Sequence, residues 1–293
     1  MTGKATQEAG KITVSVNLSR MRRVGARPSL PRYLRALFGR RQFILFDARA
    51  RVQSANDNDR LGSLWLILTP ILNGLTYYFM FGVLLGTSRG IENFVGYLVI
   101  GVFTFQMSRV SITQGARSLT GNQKVIQAFN FPRAALPLAV NLRELLSSIP
   151  ATLTMLIIII VAAPVEPITW RWLLIIPAIG LQLLFNLGVG LILAPLVLKV
   201  NDIANLLSFG LRLWMYGSAV FYSLDRFAAY PQLVRVLELN PLYIVIDIMR
   251  DSLLYSTTPS MDSWLVLSTW ALGTLVVGFL FFWSKEESYG RTD

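Results

Sequence analysis

The chain is expected to fold as an all-α integral membrane protein with six transmembrane helices. An amphipathic interface helix should precede them, and an external re-entrant helical hairpin should lie between spans five and six. Three observations lead there. Five stretches of about twenty residues carry few or no charges, and a sixth joins them if one embedded arginine is tolerated; roughly twenty helical residues are needed to cross a hydrocarbon core about 30 Å thick. Charge is scarce, 15% of residues against 54% hydrophobic, and it is unevenly placed, with thirteen of 27 Lys and Arg inside the first sixty positions. Seventeen Phe, ten Tyr and seven Trp suit a bundle whose ends sit at membrane–water boundaries.

Residues 1–29 are polar and basic and read as a flexible cytoplasmic tail. Residues 30–60 form the interface helix and its linker: Leu30, Leu34, Leu37, Phe38, Leu45 and Ala48 share a helical face, while Arg32, Arg35 and Gln42 point away. Such a helix lies along a membrane surface, with its arginines drawn to anionic headgroups by about 1 kcal/mol each. Residues 54–60 are a polar break. The membrane domain, residues 61–284, holds spans over residues 64–86, 94–118, 137–163, 172–198, 203–224 and 263–283, and residues 285–293 form a short tail. No cleavable leader is expected, because the first apolar run starts after residue 60. An even number of spans puts both termini on one side, and the concentration of basic residues before and between the spans makes that side cytoplasmic. The same rule explains the basic N-terminus without invoking nucleic acid.

Between spans five and six, Leu242, Val245, Ile246, Met249 and Leu253 make one apolar face, while Asp247, Arg250 and Asp251 occupy the other. Asn240 and Pro241 start this helix, since proline suits a first turn. Its length, about a dozen residues, fits a hairpin that enters the membrane from outside without crossing it.

Several functions are excluded. The chain has no Cys and no His, which removes disulfides, thiolate chemistry, imidazole acid–base chemistry and the usual zinc sites. No metal site and no catalytic residue are expected. There is no phosphate-cradling glycine loop of the GxxxxGK[ST] kind, so the chain does not bind nucleotide by that route. Gly188 and Gly190 suit close helix packing.

Two arginines lie within apolar spans, Arg109 in the second and Arg212 in the fifth. An arginine at a helix centre costs about 2.5–3.5 kcal/mol on insertion scales and faces protein or water. Either one receives a phosphate-bearing headgroup, or pairs with a polar neighbour. Arg143 and Glu144, adjacent in span three, read as a charge pair. The inner connection from Asn122 to Arg133 is a short helix-compatible piece with two exposed-looking aromatics, Phe129 and Phe131, and such a surface suits docking to a soluble partner.

The order of these features resembles the permease subunit of ABC-2 type polysaccharide exporters, the transporters of O-antigen, capsule and teichoic acid. The resemblance rests on the basic amphipathic helix; Leu61, Gly62 and Trp65 opening span one; and Asn122, Lys124, Val125, Ile126, Phe131, Pro132, Arg133, Leu136 and Pro137 in the inner loop. Asn201, Asp202 and Ile203 before span five complete it, with Asn240, Pro241 and Arg250 after that span. It covers residues 30–284. The long basic tail is similar to actinobacterial members that export lipid-linked galactan. The chain departs from the pattern at Asn201, Ser218–Ala219 and Arg212, and in its polar run over residues 54–60.

The resemblance implies a homodimer served by two cytoplasmic ABC ATPase subunits, with ATP and Mg²⁺ bound by those partners and no cofactor on this chain. It implies a coupling helix over residues 121–133 (Asn122, Lys124, Val125, Ile126, Phe129, Phe131, Pro132, Arg133) and an external gate over residues 225–255 that includes Asn240, Pro241, Asp247 and Arg250. The N-terminal helix would be a cytoplasmic gate near the lipid pyrophosphate, with Arg32, Arg35, Arg49, Arg51, Arg109 and Arg212 as candidate headgroup contacts. The implied cargo is a polyprenyl-pyrophosphate-linked glycan moved from inner to outer leaflet. Trp65, Tyr77, Phe103, Phe105, Trp214 and Tyr216 are candidates to line its channel, since sugars stack on aromatic faces. An ABC-2 permease for a drug or another lipid shares this architecture. A membrane-embedded enzyme of lipid-linked sugars would need an acid–base constellation that the chain lacks.

Overall fold

The computed structural model describes residues 28–54, 62–84, 91, 93–129, 131–161 and 167–289. The expected basic tail over residues 1–27, most of the 54–60 linker and residues 290–293 lie outside the described residues. All regular elements among the described residues are helical: α1 (Leu30–Gly39), α2 (Arg41–Ser54), α3 (Trp65–Tyr77), α4 (Phe94–Ala116), α5 (Gln123–Ala128), α6 (Ala135–Val161), α7 (Ile175–Lys199), α8 (Asp202–Tyr216), α9 (Pro231–Glu238), α10 (Pro241–Leu253) and α11 (Met261–Ser284). Their starts carry local signals. Asn93 Oδ1 accepts the Gly96 amide at 2.9 Å, Asn240 Oδ1 the Leu242 amide at 3.0 Å, and Ser260 Oγ the Ser263 amide at 3.1 Å, each satisfying a donor that has no partner in the first turn.

Four of these stretches are long and apolar enough to cross a membrane: Phe94–Ala116, Ala135–Val161, Trp170–Lys199 and Met261–Ser284. They match four expected spans to within a few residues. α6 and α11 leave apolar side chains such as Leu153, Ile157, Leu272 and Val276 exposed, as a lipid-facing helix does. α7 sits at the centre, packed against α4 on one side and α11 on the other. Glycine makes both approaches possible: a Cβ on Gly188 would collide with the backbone of Thr274 and Leu275, and one on Gly278 with the Gly188 carbonyl. Gly115 and Gly190 face each other in the same way. This is the small-residue packing that brings helices together in lipid.

The other two apolar stretches behave differently. α3 has 13 residues and passes into a π-helical segment, Tyr78–Leu84. α8 has 15, about 22 Å of helix, and stops at Tyr216 where a helix to residue 224 was expected. The reason lies in competing partners for the backbone beyond it. Asn240 Nδ2 donates to the Gly217 carbonyl at 2.9 Å and to Ser218 Oγ at 3.0 Å. Tyr97 Oη donates to the carbonyls of Ala219 and Tyr222 at 3.2 and 2.6 Å. The Arg250 guanidinium takes those of Ala219 and Val220 at 3.2 and 3.3 Å. Ala219 sits at φ 49°, a left-handed conformation disfavoured for a residue with a Cβ. Ser218 to Phe221 are buried, and irregular backbone of this kind is tolerated at membrane depth only where protein covers it.

α9 and α10 follow one another between α8 and α11, separated by Leu239 and Asn240. α10 packs on α4, α7 and α11 and is buried on nearly all sides. Arg250 was expected on its polar face; it is instead 1% exposed, with its Cζ 3.3 Å from the centroid of the Tyr97 ring and its Nη2 donating to three carbonyls. Cation–π attraction and charge-assisted hydrogen bonds offset the cost of removing the guanidinium from water.

Candidate functional site

Part of what was singled out from sequence gathers in two places, a junction at the basic end of the bundle and a cavity among the apolar helices, and the rest is scattered. The junction is built from segments far apart in the chain. The expected amphipathic helix is broken at Arg40 into α1 and α2, and of its expected apolar face Leu37 and Ala48 are buried while Leu34, Phe38 and Leu45 are exposed. Tyr33 and Leu37, four residues apart on one side of α1, are buried, whereas Leu34 and Phe38 stay exposed. Tyr33 Oη donates to Glu286 Oε2 at 2.8 Å and accepts the Ala134 amide at 3.1 Å. Glu286 Oε1 accepts the Arg133 amide at 3.0 Å, and Arg133 Nη1 reaches the Glu286 carbonyl at 2.8 Å. Trp283 Nε1 donates to the Pro28 carbonyl at 3.1 Å. α1, the chain entering α6 and the segment after α11 thus meet at one buried carboxylate.

Around it lies a separate apolar cluster of Tyr33, Leu37, Leu119, Ile126, Leu136, Leu191, Phe282 and Tyr289. Burial, with the Glu286 carboxylate beside it, pushes the Tyr33 hydroxyl well above its ordinary value, so it stays a donor. Burial also raises Glu286, opposed by the Arg133 amide, the Tyr33 hydroxyl and the Arg133 guanidinium.

α5 projects from this junction. Asn122 precedes it, donating to the Ser118 carbonyl at 2.8 Å and accepting Arg51 Nη2 at 2.9 Å; Arg51 also pairs with Asp47 at 3.0 Å. Ile126 is buried and anchors the short helix, Val125 is half-buried and Lys124 exposed. Phe129 is 67% exposed. Phe131 is half-buried, its ring 6.3 Å from that of Phe43. The two aromatics that looked alike in sequence therefore differ: one faces outward and the other braces α2. Pro132 and Arg133 lie at the base, half-buried.

Of the other arginines, Arg32, Arg35 and Arg49 are exposed on α1 and α2, and Arg212 on α8. Arg109 is exposed on α4, its Nε donating to Gln106 Oε1 at 2.9 Å. Arg143 gives both Nε and Nη2 to Glu144 Oε1, at 3.0 and 2.8 Å, the charge pair that adjacency suggested. The aromatics separate as well. Trp65 and Phe103 line one cavity of about 320 Å³ between α3, α4, α6, α7 and α10. Phe105 is buried in the core. Trp214 packs edge-on against Phe185 and donates to Asn240 Oδ1 at 2.8 Å, and Tyr216 is exposed beside Phe221. The side chain of Tyr77 lies outside the described residues. In α10, Pro241 is buried and Tyr243 Oη donates to Asp247 Oδ1 at 3.2 Å.

Sequence reasoning missed Tyr33, Glu286 and Gln182. The tyrosine offered a clue in its spacing from Leu37. Nothing local distinguishes Glu286 from Glu287, since its role exists only once residues 33 and 133 are beside it.

A helical membrane bundle with a short helix projecting from its basic end, followed by the exposed Phe129 and the half-buried Phe131, is an architecture suited to a transport subunit. Residues 44–254 match the family described as ABC-2 type transporter, and the chain belongs to that family. It is similar to two proteins from Klebsiella pneumoniae, each named O-antigen export system permease protein RfbA. One is 28% identical over 72% of this chain and 78% of its own length; the other is 30% identical over 56% and 62%. A protein of the same name from Myxococcus xanthus is 23% identical over 89% of this chain and 99% of its own. Membership makes this an integral membrane protein that pairs with an ABC ATPase.

Proposed function

We propose that this chain is the permease of an ATP-driven exporter that moves a polyprenyl-pyrophosphate-linked polysaccharide, of O-antigen or galactan type, from the cytoplasmic to the outer leaflet of a bacterial plasma membrane. The observation that carries the reading is the similarity to O-antigen export permeases, in one case along 89% of this chain. The working unit is a homodimer of six-span subunits with two ATPase subunits, which hold the ATP and Mg²⁺. Both termini, and with them the junction, are cytoplasmic.

In this reading α5 is the element that meets the ATPase, with exposed Phe129 as its contact. Displacement of α5 reaches Arg133 through Phe131 and Pro132, and Glu286 then passes it to Tyr33 on α1. The N-terminal helix can therefore respond to nucleotide turnover without touching the ATPase itself. Arg32, Arg35 and Arg49, exposed on α1 and α2, would meet the pyrophosphate as this gate opens, and Arg109 and Arg212 would meet it further in. The stretches around α3 and α8 complete six spans. The α9–α10 hairpin, pinned by Asn240 and Arg250, is the re-entrant outer gate. Trp214 and Tyr216 near its base, with Tyr77, would line the glycan path.

Depletion of the permease should cause polyprenyl-linked glycan to accumulate in the cytoplasmic leaflet, detected by mass spectrometry of extracted lipids. Unchanged glycolipid distribution, alongside loss of efflux of some other compound, would replace this reading with a drug or lipid permease.

A further inference from the structure

The cavity between α3, α4, α6, α7 and α10 has a chemistry of its own. At about 320 Å³ it is within the range of small-ligand sites, roughly 300–1,000 Å³. Trp65 presents an aromatic side chain from α3 and Phe103 another from α4; Glu144 and Ser148 contribute from α6, and Gln182 from α7. Gln182 is 1% exposed. Its Nε2 donates to the Thr104 carbonyl at 2.8 Å and to Ser108 Oγ at 2.7 Å. A backbone carbonyl can only accept, so these bonds fix which end of the amide is nitrogen. Gln182 Oε1 is left buried with no hydrogen-bond partner, an arrangement that is costly in a low-dielectric interior.

The electrostatics point the same way. Arg143 gives its Nε and Nη2 to Glu144 Oε1, and no lysine or arginine stands among the described lining residues. The lining therefore offers acceptor oxygen from Glu144 and Gln182 and uncharged groups such as Gln106, Ser147 and Thr152, beside two aromatic side chains. A phosphate would meet a carboxylate with no free cation. A neutral group rich in hydroxyls supplies donors to the oxygens and C–H faces to the rings.

We propose that this cavity is an intrasubunit binding site for a sugar headgroup, selective for neutral hydroxylated groups and against phosphate. The proposal rests on the export reading only for the source of the sugar, the glycan of the lipid-linked cargo.

The test uses the full-length permease in phosphatidylcholine nanodiscs, with dodecyl maltoside and dodecyl phosphate as probes of equal chain length. Saturable binding of the maltoside that dodecyl phosphate does not displace is expected. Gln182→Leu should weaken maltoside binding by about tenfold, the loss expected from one good hydrogen bond. Glu144→Gln frees Arg143 and should let dodecyl phosphate displace the bound maltoside, a gain that misfolding cannot produce. Displacement of the maltoside by dodecyl phosphate in the wild type, or maltoside binding indifferent to Gln182→Leu, would overturn the site. Displacement of bound maltoside by polyprenyl-linked glycan is expected. Displacement by a diacylglycerol glucoside alone would overturn its assignment to the cargo. Unchanged glycolipid distribution on depletion of the permease would sink the exporter reading and leave these binding results unchanged.

Discussion

Tyr33 and Glu286, 253 residues apart, share a hydrogen bond of 2.8 Å in a buried setting, and the same tyrosine oxygen accepts the amide of Ala134. One hydroxyl thus joins the N-terminal helix, the base of α6 and the segment that follows α11. Removing it leaves a buried carboxylate oxygen and a buried amide without a partner, a cost of about 1–3 kcal/mol. Tyr33→Phe should therefore raise hydrogen exchange in α1 while leaving α4 and α7 protected. In a reconstituted complex it should lower transport per ATP hydrolysed more than it lowers hydrolysis. Glu286→Ala should do the same. Equal loss of both rates would argue against a transmitting role.

Acidity should act on this junction with a definite sign. Burial raises the Glu286 carboxyl, and Arg133, Tyr33 and Tyr289 are the charged and titratable groups that face it. A carboxyl raised on folding contributes stability that is complete below its unfolded value and is lost as pH climbs through the folded one. Protection of α1, corrected for intrinsic exchange, should fall as pH rises above the ordinary carboxyl range. Glu286→Gln carries no titrating group and should flatten that profile; an identical slope in the variant would remove Glu286 as the cause.

Phe129 and Phe131 should give different phenotypes. Phe129 is exposed and touches little of its own chain, so Phe129→Ala should leave thermal stability unchanged. It should weaken ATPase copurification by about 2 kcal/mol, roughly thirtyfold in affinity, as loss of an aromatic anchor does. Phe131→Ala should loosen α2 first, through its contact with Phe43. If Phe129→Ala retains the ATPase in full, the contact lies elsewhere on the subunit.

Arg250 should be a stability residue. Arg250→Met removes the donor from the carbonyls of Tyr97, Ala219 and Val220, and the loss of bonds to a charged group costs about 1.5–3 kcal/mol. The variant should melt earlier in detergent. Arg250→Lys should recover little, because an ammonium on a linear chain cannot reproduce the planar, ring-stacked arrangement over Tyr97. A variant with normal melting and impaired transport would instead make Arg250 a gate residue.

The linear order of residues was enough to establish a helical membrane protein, four of its long spans, a helical basic entry segment, and a short helix followed by two aromatics. These are local or periodic properties, set by twenty-residue stretches of apolar side chains and by charges that water holds outside the membrane. It was also enough for the Arg143–Glu144 pair and the close packing at Gly188 and Gly190. The early stop of α8, the burial of Arg250, the pairing of Tyr33 with Glu286 and the unmatched oxygen of Gln182 were decided only in three dimensions. Each depends on a partner supplied by a distant segment. A polar group within an apolar bundle takes whichever partner the packing brings near, and no pattern along the chain encodes that choice.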